Sequence, residues 1–258
     1  MSKNFELMQQ TGRGPVMNPT PSQIPQKPSS VSHANGNGHR NGNGAGLNLD
    51  DLAQEETLKL VQRVFLLQAG EVPRTVIFAG IDHGNGCSRV CARTAQVLAS
   101  NVSGKVCIVD ANLRSPSLPE YFGMTNHHGL TDSLLQDGPI MSFAKPTGTA
   151  NLWLLSCGSL AADSANLLNS DRLKARLAEM RKEFEFVLID TPALSQYADA
   201  VSLGRLSDGM VFVLEANSTR RESAIKVMEN LRASNVQILG AVLNKRDYPI
   251  PESVYHRL

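Results

Sequence analysis

The sequence lacks the features that mark a membrane-spanning, secreted or nucleic-acid-binding protein. No run approaches the ~20 consecutive apolar residues that a spanning helix needs, and residues 1–10 have no apolar core of a signal peptide. Basic and acidic residues number 25 and 24, which leaves no charge surplus to attract nucleic acid or an anionic bilayer. These absences predict a soluble, cytoplasmic protein without a nucleic-acid partner, whose other ligands are recognised at a local site.

Cysteine is also scarce, with four residues in the chain: Cys87, Cys91, Cys107 and Cys157. Their spacing fits no zinc site, and all four fall in predicted core segments, which favours reduced thiols over a disulfide framework. The first two lie one helical turn apart near a predicted helix start, and two interpretations are open for them. They form either a redox pair with a depressed thiol pKa or, as we favour, two small core residues.

The chain divides by composition into a tail and a domain. Residues 1–47 are rich in Pro, Ser, Asn and Gly, and they cannot bury enough apolar surface to offset chain entropy. We therefore expect a disordered tail there and a single folded domain over residues 48–258. An amphipathic helix is predicted over residues 50–68, because apolar residues recur at helical spacing behind an acidic first turn and Gly70 ends the pattern.

The domain alternates apolar runs with helical patterns. Six β-branched or leucine-rich runs predict strands at residues 76–79, 106–109, 152–155, 186–189, 210–214 and 238–243. Helical patterns lie between them at residues 89–98, 173–184 and 218–231. This alternation predicts an α/β fold, a mostly parallel twisted sheet with helices on both faces. Ligands of such sheets bind beyond the carboxyl ends of the strands, which here open at Gly80, Asp110 and Asp190.

A glycine-rich segment follows the first predicted strand and precedes a helix. It reads Gly80-Ile-Asp-His-Gly-Asn-Gly-Cys-Ser88, and a phosphate-binding loop reads G-x-x-x-x-G-K-[ST]. In such a loop, backbone amides and the helix N-terminus hold the phosphates. Gly84, Gly86 and Ser88 fit this frame, which predicts a nucleotide site. The alternative is a glycine-rich turn that never meets a nucleotide.

Two positions of this loop depart from the frame. Ile81 replaces its first glycine, and Cys87 replaces the lysine that neutralises the β- and γ-phosphates. Losing one such contact commonly costs about 3 kcal/mol of transition-state stabilisation, and Asp82 adds a negative charge nearby. The nearest cations that could substitute for the lysine are Arg89 and Arg93.

Two carboxylates stand at the ends of predicted strands. Asp110 ends the second strand and Asp190 ends the fourth, where an aspartate beside a phosphate loop holds Mg²⁺ or its water shell. Each aspartate by itself is equally consistent with capping the following turn. Three strand-end motifs in the right order favour a metal site formed by Ser88, Asp110 and Asp190.

Four segments together resemble the capsular polysaccharide tyrosine kinases of bacteria, which belong to the deviant-Walker P-loop ATPases. They are Val109-Asp-Ala-Asn-Leu-Arg-Ser-Pro-Ser-Leu118, similar to the motif D-A-D-x-R-x-P; Gly129-Leu-Thr-Asp-Ser-Leu134, similar to G-L-S-D-x-L; Phe186-Val-Leu-Ile-Asp-Thr-Pro192, similar to the family's Walker B strand; and Leu239-Gly-Ala-Val-Leu-Asn244, similar to its last strand and base-side asparagine. The resemblance covers roughly residues 50–258 and implies a P-loop NTPase-like fold.

The resemblance also implies ligands, partners and roles. It implies ATP and Mg²⁺ as cofactors, catalytic roles for Asp110 and Asp190, and nucleotide contacts from Gly84, Asn85, Gly86, Cys87, Ser88, Arg89 and Asn244. It implies pairing with a membrane polysaccharide co-polymerase, or chain-length determinant, which would recruit the protein to the inner face of the plasma membrane. It further implies homo-oligomer formation.

Several positions depart from the family pattern. The lysine position is Cys87, and the second carboxylate of D-A-D is Asn112. The assembly motif E-x-x-R-x-x-R is only loosely matched near Glu56, and two tyrosines, Tyr248 and Tyr255, stand where the family carries a C-terminal cluster.

These departures predict a degenerate kinase relative that regulates or scaffolds polysaccharide export. The alternative is an active ATP-dependent tyrosine kinase with a substitute cation. A positional regulator like the septum-site proteins fits less well, because Asp82 stands where those proteins place a signature lysine.

Five other positions have simpler interpretations. His127 and His128 lack acidic or cysteine neighbours in the sequence and predict a polar loop, and Trp153 predicts a core position. Asn244 and Lys245 either flank an adenine, as the resemblance implies, or simply end a strand.

Overall fold

The computed structural model describes residues 49–67, 70–159, 167–168 and 170–246. The predicted disordered tail at residues 1–47 lies outside the described residues, as do Tyr248 and Tyr255. Within the described residues, no helix is both long and apolar enough to cross a membrane.

Within the described residues, seven strands form one sheet in the order β3-β4-β2-β5-β1-β6-β7. They are β1 (Thr75–Gly80), β2 (Val106–Asp110), β3 (Lys145–Pro146), β4 (Leu152–Leu155), β5 (Phe186–Thr191), β6 (Gly209–Glu215) and β7 (Ile238–Asn244). All neighbours are parallel except β3 and β4. The six predicted strands are confirmed. The two-residue strand β3 was not predicted, because a Lys-Pro pair carries no apolar pattern.

Helices pack on both faces of this sheet. They are α1 (Leu49–Val61), which continues as one π-helical turn over Gln62–Leu66, α2 (Cys87–Asn101), α3 (Leu118–Tyr121), α4 (Leu130–Leu135), α5 (Asp171–Glu183), α6 (Asp199–Gly204) and α7 (Arg221–Ala233). The four long helices confirm the predicted ones. The short helices α3, α4 and α6 were missed because one or two turns give too little periodicity to recognise.

Alternate residues of the central strand β1 enter opposite layers of the core. Val76 and Phe78 join α1 and α2 on one face, whereas Ile77 and Ala79 join α5 and α6 on the other. Every residue of β1 is buried, as expected for a strand covered on both sides. This two-layer core fixes the strand ends that form the site.

The motif Gly129–Leu134 begins α4 and connects it by hydrogen bonds to a neighbouring segment. The Asp132 carboxylate is buried, and its Oδ2 accepts hydrogen bonds from Gly129 N at 3.0 Å and Ser159 N at 3.1 Å. Gly158 packs against that carboxylate with φ +83°, where a Cβ would lie 2.2 Å from Oδ2. The acidic residue of this motif therefore joins α4 to the segment after β4.

Asp132→Ala is expected to lower the free energy of unfolding by about 2 kcal/mol, because one buried and one partly buried backbone donor lose their acceptor. Urea denaturation followed by circular dichroism measures the change. Asp137→Ala is the matched control, since that carboxylate is fully exposed and makes a surface ion pair with Arg172. Equal stability of the two variants would contradict this role for Asp132.

Candidate functional site

A cleft of about 560 Å³ lies at the carboxyl end of the sheet. The segment after β1, the start of α2, the residues after β2 and Thr191 at the end of β5 line it. The parallel register brings these parts together, because Asp110 of β2 pairs directly with Asp190 of β5. The cleft therefore lies where the sequence predicted a ligand site.

The glycine-rich loop turns into α2 with two residues in the left-handed region, Gly84 at φ +85° and Gly86 at φ +82°. This conformation favours glycine. Between them the buried Asn85 side chain donates from Nδ2 to Val213 O at 2.7 Å. It packs against Gly80, where a Cβ would lie 2.4 Å from the carboxamide. The loop is thus anchored to the end of β6.

The end of β7 also contacts this loop. Asn244 Nδ2 donates to Asn85 O at 2.8 Å. Lys245 Nζ donates to Gly84 O at 2.7 Å and lies 3.2 Å from Glu215 Oε1. Sequence reasoning paired Asn244 with Lys245 only as neighbours of an adenine or as the end of a strand. It carried no signal for the contact of Lys245 with the loop.

Asp110 is buried but well supplied with donors. Its Oδ1 accepts from Asn112 N at 3.1 Å, and its Oδ2 accepts from Ser117 N and Leu118 N, both at 3.0 Å. Burial raises the pKa of Asp110 to about 6, although these hydrogen bonds lower it. These hydrogen bonds are those of a turn-capping aspartate, and Asp110 itself lies beneath the residues that line the cleft and is not one of them.

Asp190 is fully buried, and neither carboxylate oxygen has a hydrogen-bond partner among the described residues. Burial, followed by the charge of Asp110, raises its pKa to about 8, although the Ser88 hydroxyl, the Cys87 thiol and the Thr191 N–H, which approach it outside hydrogen-bond geometry, lower it. An unpaired buried carboxylate is costly. Cys87, at the lysine position of the loop, lies against this carboxyl as a neutral thiol and supplies no compensating charge.

The thiols of Cys87 and Cys91 belong to the core. Both are buried against α1 and the sheet, and burial followed by the charge of Asp190 raises the pKa of each well above its usual value. A thiol held in its neutral form is a poor redox nucleophile. The low-pKa redox interpretation is therefore wrong. The core interpretation is confirmed, and all four cysteines are buried and free.

The oxygen donors at the strand ends fit Mg²⁺ in chemical type. Ser88 and Asp190 are neighbours, and Asp110 pairs with Asp190 across the sheet. Because Asp110 is committed to three backbone donors, Asp190 has the unused oxygens. The described residues contain no group of three or more His, Cys, Asp or Glu side chains able to hold a metal ion. Mg²⁺ here would accordingly depend on ligand phosphates and water.

Of the two predicted substitute cations, Arg89 lines the cleft, whereas Arg93 is not among the described residues that line it. Asn112 also lines the cleft, and its Oδ1 accepts from Ser115 N at 3.1 Å, so it completes a turn without supplying charge. Tyr121 also lines the cleft and was missed, because nothing in the sequence distinguishes a cleft tyrosine from any other.

The remaining predictions for single residues are partly confirmed. His127 and His128 are exposed in the segment before α4, as a polar loop requires. Trp153 is only partly buried, because it packs at the margin of the core with its ring 6.4 Å from that of Phe184.

Sequence comparison finds relatives named as tyrosine-protein kinases. The chain is 32% identical over 171 residues to tyrosine-protein kinase YwqD of Bacillus subtilis, covering 66% of this chain and 72% of that protein. It is 28% identical over 183 residues to the succinoglycan biosynthesis transport protein ExoP of Rhizobium meliloti, covering 69% of this chain but 23% of the relative. No family model matches the chain.

Comparison with solved structures shows the same fold. The tyrosine kinase domain of BceF superposes with a TM-score of 0.66 at 26% identity, covering 78% of this chain and 80% of that domain. The septum site-determining protein MinD of Pyrococcus horikoshii, solved with Mg-ADP, superposes with a TM-score of 0.56 at 23% identity, covering 71% and 76%. The predicted P-loop NTPase-like α/β fold is confirmed.

Proposed function

This chain belongs to the bacterial tyrosine-protein kinase family, and we propose that it acts there as a catalytically inactive regulatory or scaffolding subunit of capsule or exopolysaccharide export. The observation that carries the proposal is the buried neutral thiol of Cys87 beside the unpartnered carboxylate of Asp190. Phosphoryl transfer depends on neutralising charge as it develops on the phosphates. A loop whose lysine position is a buried, neutral thiol supplies no side-chain cation at that position for this task.

The nucleotide contacts would come from the loop and its surroundings. Gly84, Asn85, Gly86, Ser88 and Arg89 all line the cleft, and they would hold ATP more weakly than a loop with lysine. When bound, Mg²⁺ would supply charge neutralisation to the phosphates, and Ser88, Asp110 and Asp190 are the residues that would hold it or its water shell. These assignments are part of the proposal.

The partner we propose is a membrane polysaccharide co-polymerase. The support is the similarity to ExoP, a succinoglycan biosynthesis transport protein. A kinase-like subunit that binds such a partner at the inner face of the membrane would modulate chain export through its conformation rather than through phosphorylation. Association into a homo-oligomer would suit the same role.

We expect the purified protein to show no ATP turnover and no phosphotyrosine formation above the level of its own Ser88→Ala variant. That variant removes the hydroxyl proposed to hold the metal ion without adding bulk. Product release with radiolabelled ATP and an anti-phosphotyrosine blot measure the two activities. Turnover in the wild-type protein that Ser88→Ala abolishes would contradict an inactive subunit.

A second candidate function is an active tyrosine kinase with a substitute cation. The exposed Arg89 side chain at the cleft supports it. In that case Arg89→Met would abolish turnover, and Asp110→Asn together with Asp190→Asn would do the same. Absence of turnover in the wild-type protein, tested together with its membrane partner, would exclude this candidate.

A further inference from the structure

The carboxyl end of β7 contacts the glycine-rich loop through two successive residues. Asn244 donates to Asn85 O, and Lys245 donates to Gly84 O while it lies beside Glu215. Lys245 adopts φ +53°, a conformation that costs a non-glycine residue energy and persists where the surrounding structure requires it. We call Asn244 and Lys245 the β7 clamp.

The clamp fixes the orientation of two peptide groups in the loop. In a trans peptide, the carbonyl and the following N–H point in opposite directions. Because the carbonyls of Gly84 and Asn85 face β7, the N–H groups of Asn85 and Gly86 face away from it. Among the described residues these two N–H groups donate to no backbone carbonyl, and both residues line the cleft. Unpaired donors of this kind suit an anionic ligand.

Asn244 of the clamp is also in tight contact with the loop backbone. A Cβ at Gly86 would lie 2.5 Å from Asn244 Nδ2, so the loop glycine and the strand asparagine require one another. Asn85 Nδ2 in turn donates to Val213 O of β6, the strand next to β7. Three hydrogen bonds from two strands therefore hold the loop in one conformation through contacts within the protein.

From this geometry we infer that Asn244 and Lys245 are positioning residues that preform the loop for a polyphosphate chain. The protein thereby retains binding of nucleoside polyphosphates, or of inorganic polyphosphate, although it lacks the loop lysine. The inference rests on the proposed function, since it gives the inactive subunit a ligand to sense. A loop already in its bound conformation spends no binding free energy on ordering, which offsets part of the missing charge.

The test compares Lys245→Met with the wild-type full-length protein. Isothermal titration with Mg-ATP and with Mg-tripolyphosphate should show both affinities weakened by a similar factor, about fivefold or more, because the lost contact is a charge-assisted hydrogen bond to the loop. Amide hydrogen exchange over residues 81–88 should accelerate in the ligand-free variant, while exchange in β1 and β6 stays unchanged. Lys245→Arg should restore most of both properties.

Lys226→Met is the matched control, because Lys226 is an exposed lysine of α7. Three results would overturn the inference: no binding of either ligand by the wild-type protein, wild-type affinity and exchange in Lys245→Met, or a loss confined to ATP. The last result would show that Lys245 contacts the nucleoside part of ATP and does not act by positioning the loop. Turnover in the wild-type protein would contradict the proposal of an inactive subunit but not the positioning role of the β7 clamp. Failure of one proposal can therefore be told from failure of the other.

Discussion

Cys87→Lys is expected to give the protein ATP turnover at least about 100-fold above the wild-type level, since one lost electrostatic contact to the transition state is worth about 3 kcal/mol. The new ammonium would lie beside Asp190, whose buried oxygens have no partner among the described residues. It would also offer the phosphates the cation that the loop lacks. Steady-state release of phosphate measures the gain.

Cys87→Met controls for size, because it lengthens the side chain without adding charge. Asn112→Asp in the Cys87→Lys background should raise turnover further, since it restores the second carboxylate of the D-A-D motif. If Cys87→Lys binds Mg-ATP more tightly but remains as inactive as Cys87→Met, the cation is not what the site lacks. The inactivity would then have to originate elsewhere in the cleft.

The fold was predictable because its central strands are buried on both faces. A strand such as β1 has no polar alternation, and its continuous apolar run differs from the helical spacing of α2 or α5. What sequence reasoning missed was short or depended on tertiary contacts. The strand β3 has two residues, and α3 exists because Asp110 accepts the N–H groups of Ser117 and Leu118.

The candidate site was predictable in its residues but not in their interactions. The glycine-rich loop motif predicted Ser88 and strand-end position predicted Asp110 and Asp190, and the parallel register brings the two aspartates together. Sequence could not show that Asp110 is saturated by backbone donors while Asp190 has none, because that difference depends on where the chain after β2 turns. Nor could it place Lys245 on Gly84, since their contact spans 161 residues.

The different surroundings of the two aspartates predict effects of different size for the same isosteric substitution. Asp190→Asn is expected to raise the free energy of unfolding at pH 8 by about 2 kcal/mol or more, because it removes a carboxyl that ionises freely in the unfolded chain but whose pKa is raised to about 8 by burial in the fold. Asp110→Asn is expected to give a smaller gain than Asp190→Asn, because removing the buried charge is offset where the carboxamide presents its NH₂ group to backbone donors that now bond Asp110.

The pH dependence of stability separates this explanation from a simple packing effect. In the folded protein Asp190 holds its proton up to about pH 8, whereas in the unfolded chain it ionises near pH 3.8. Between these values the unfolded chain binds fewer protons than the folded protein. The contribution of protonated Asp190 to stability is therefore complete below about pH 4 and is lost as the pH rises toward 8. Urea denaturation of the wild-type protein should show this decline.

Asp190→Asn should retain only the smaller decline between pH 3.8 and about 6 that Asp110 contributes. Parallel pH profiles for the wild-type and Asp190→Asn proteins would show instead that Asp190 is ionised in the fold and has a cation partner, which would remove the electrostatic reason for an inactive site.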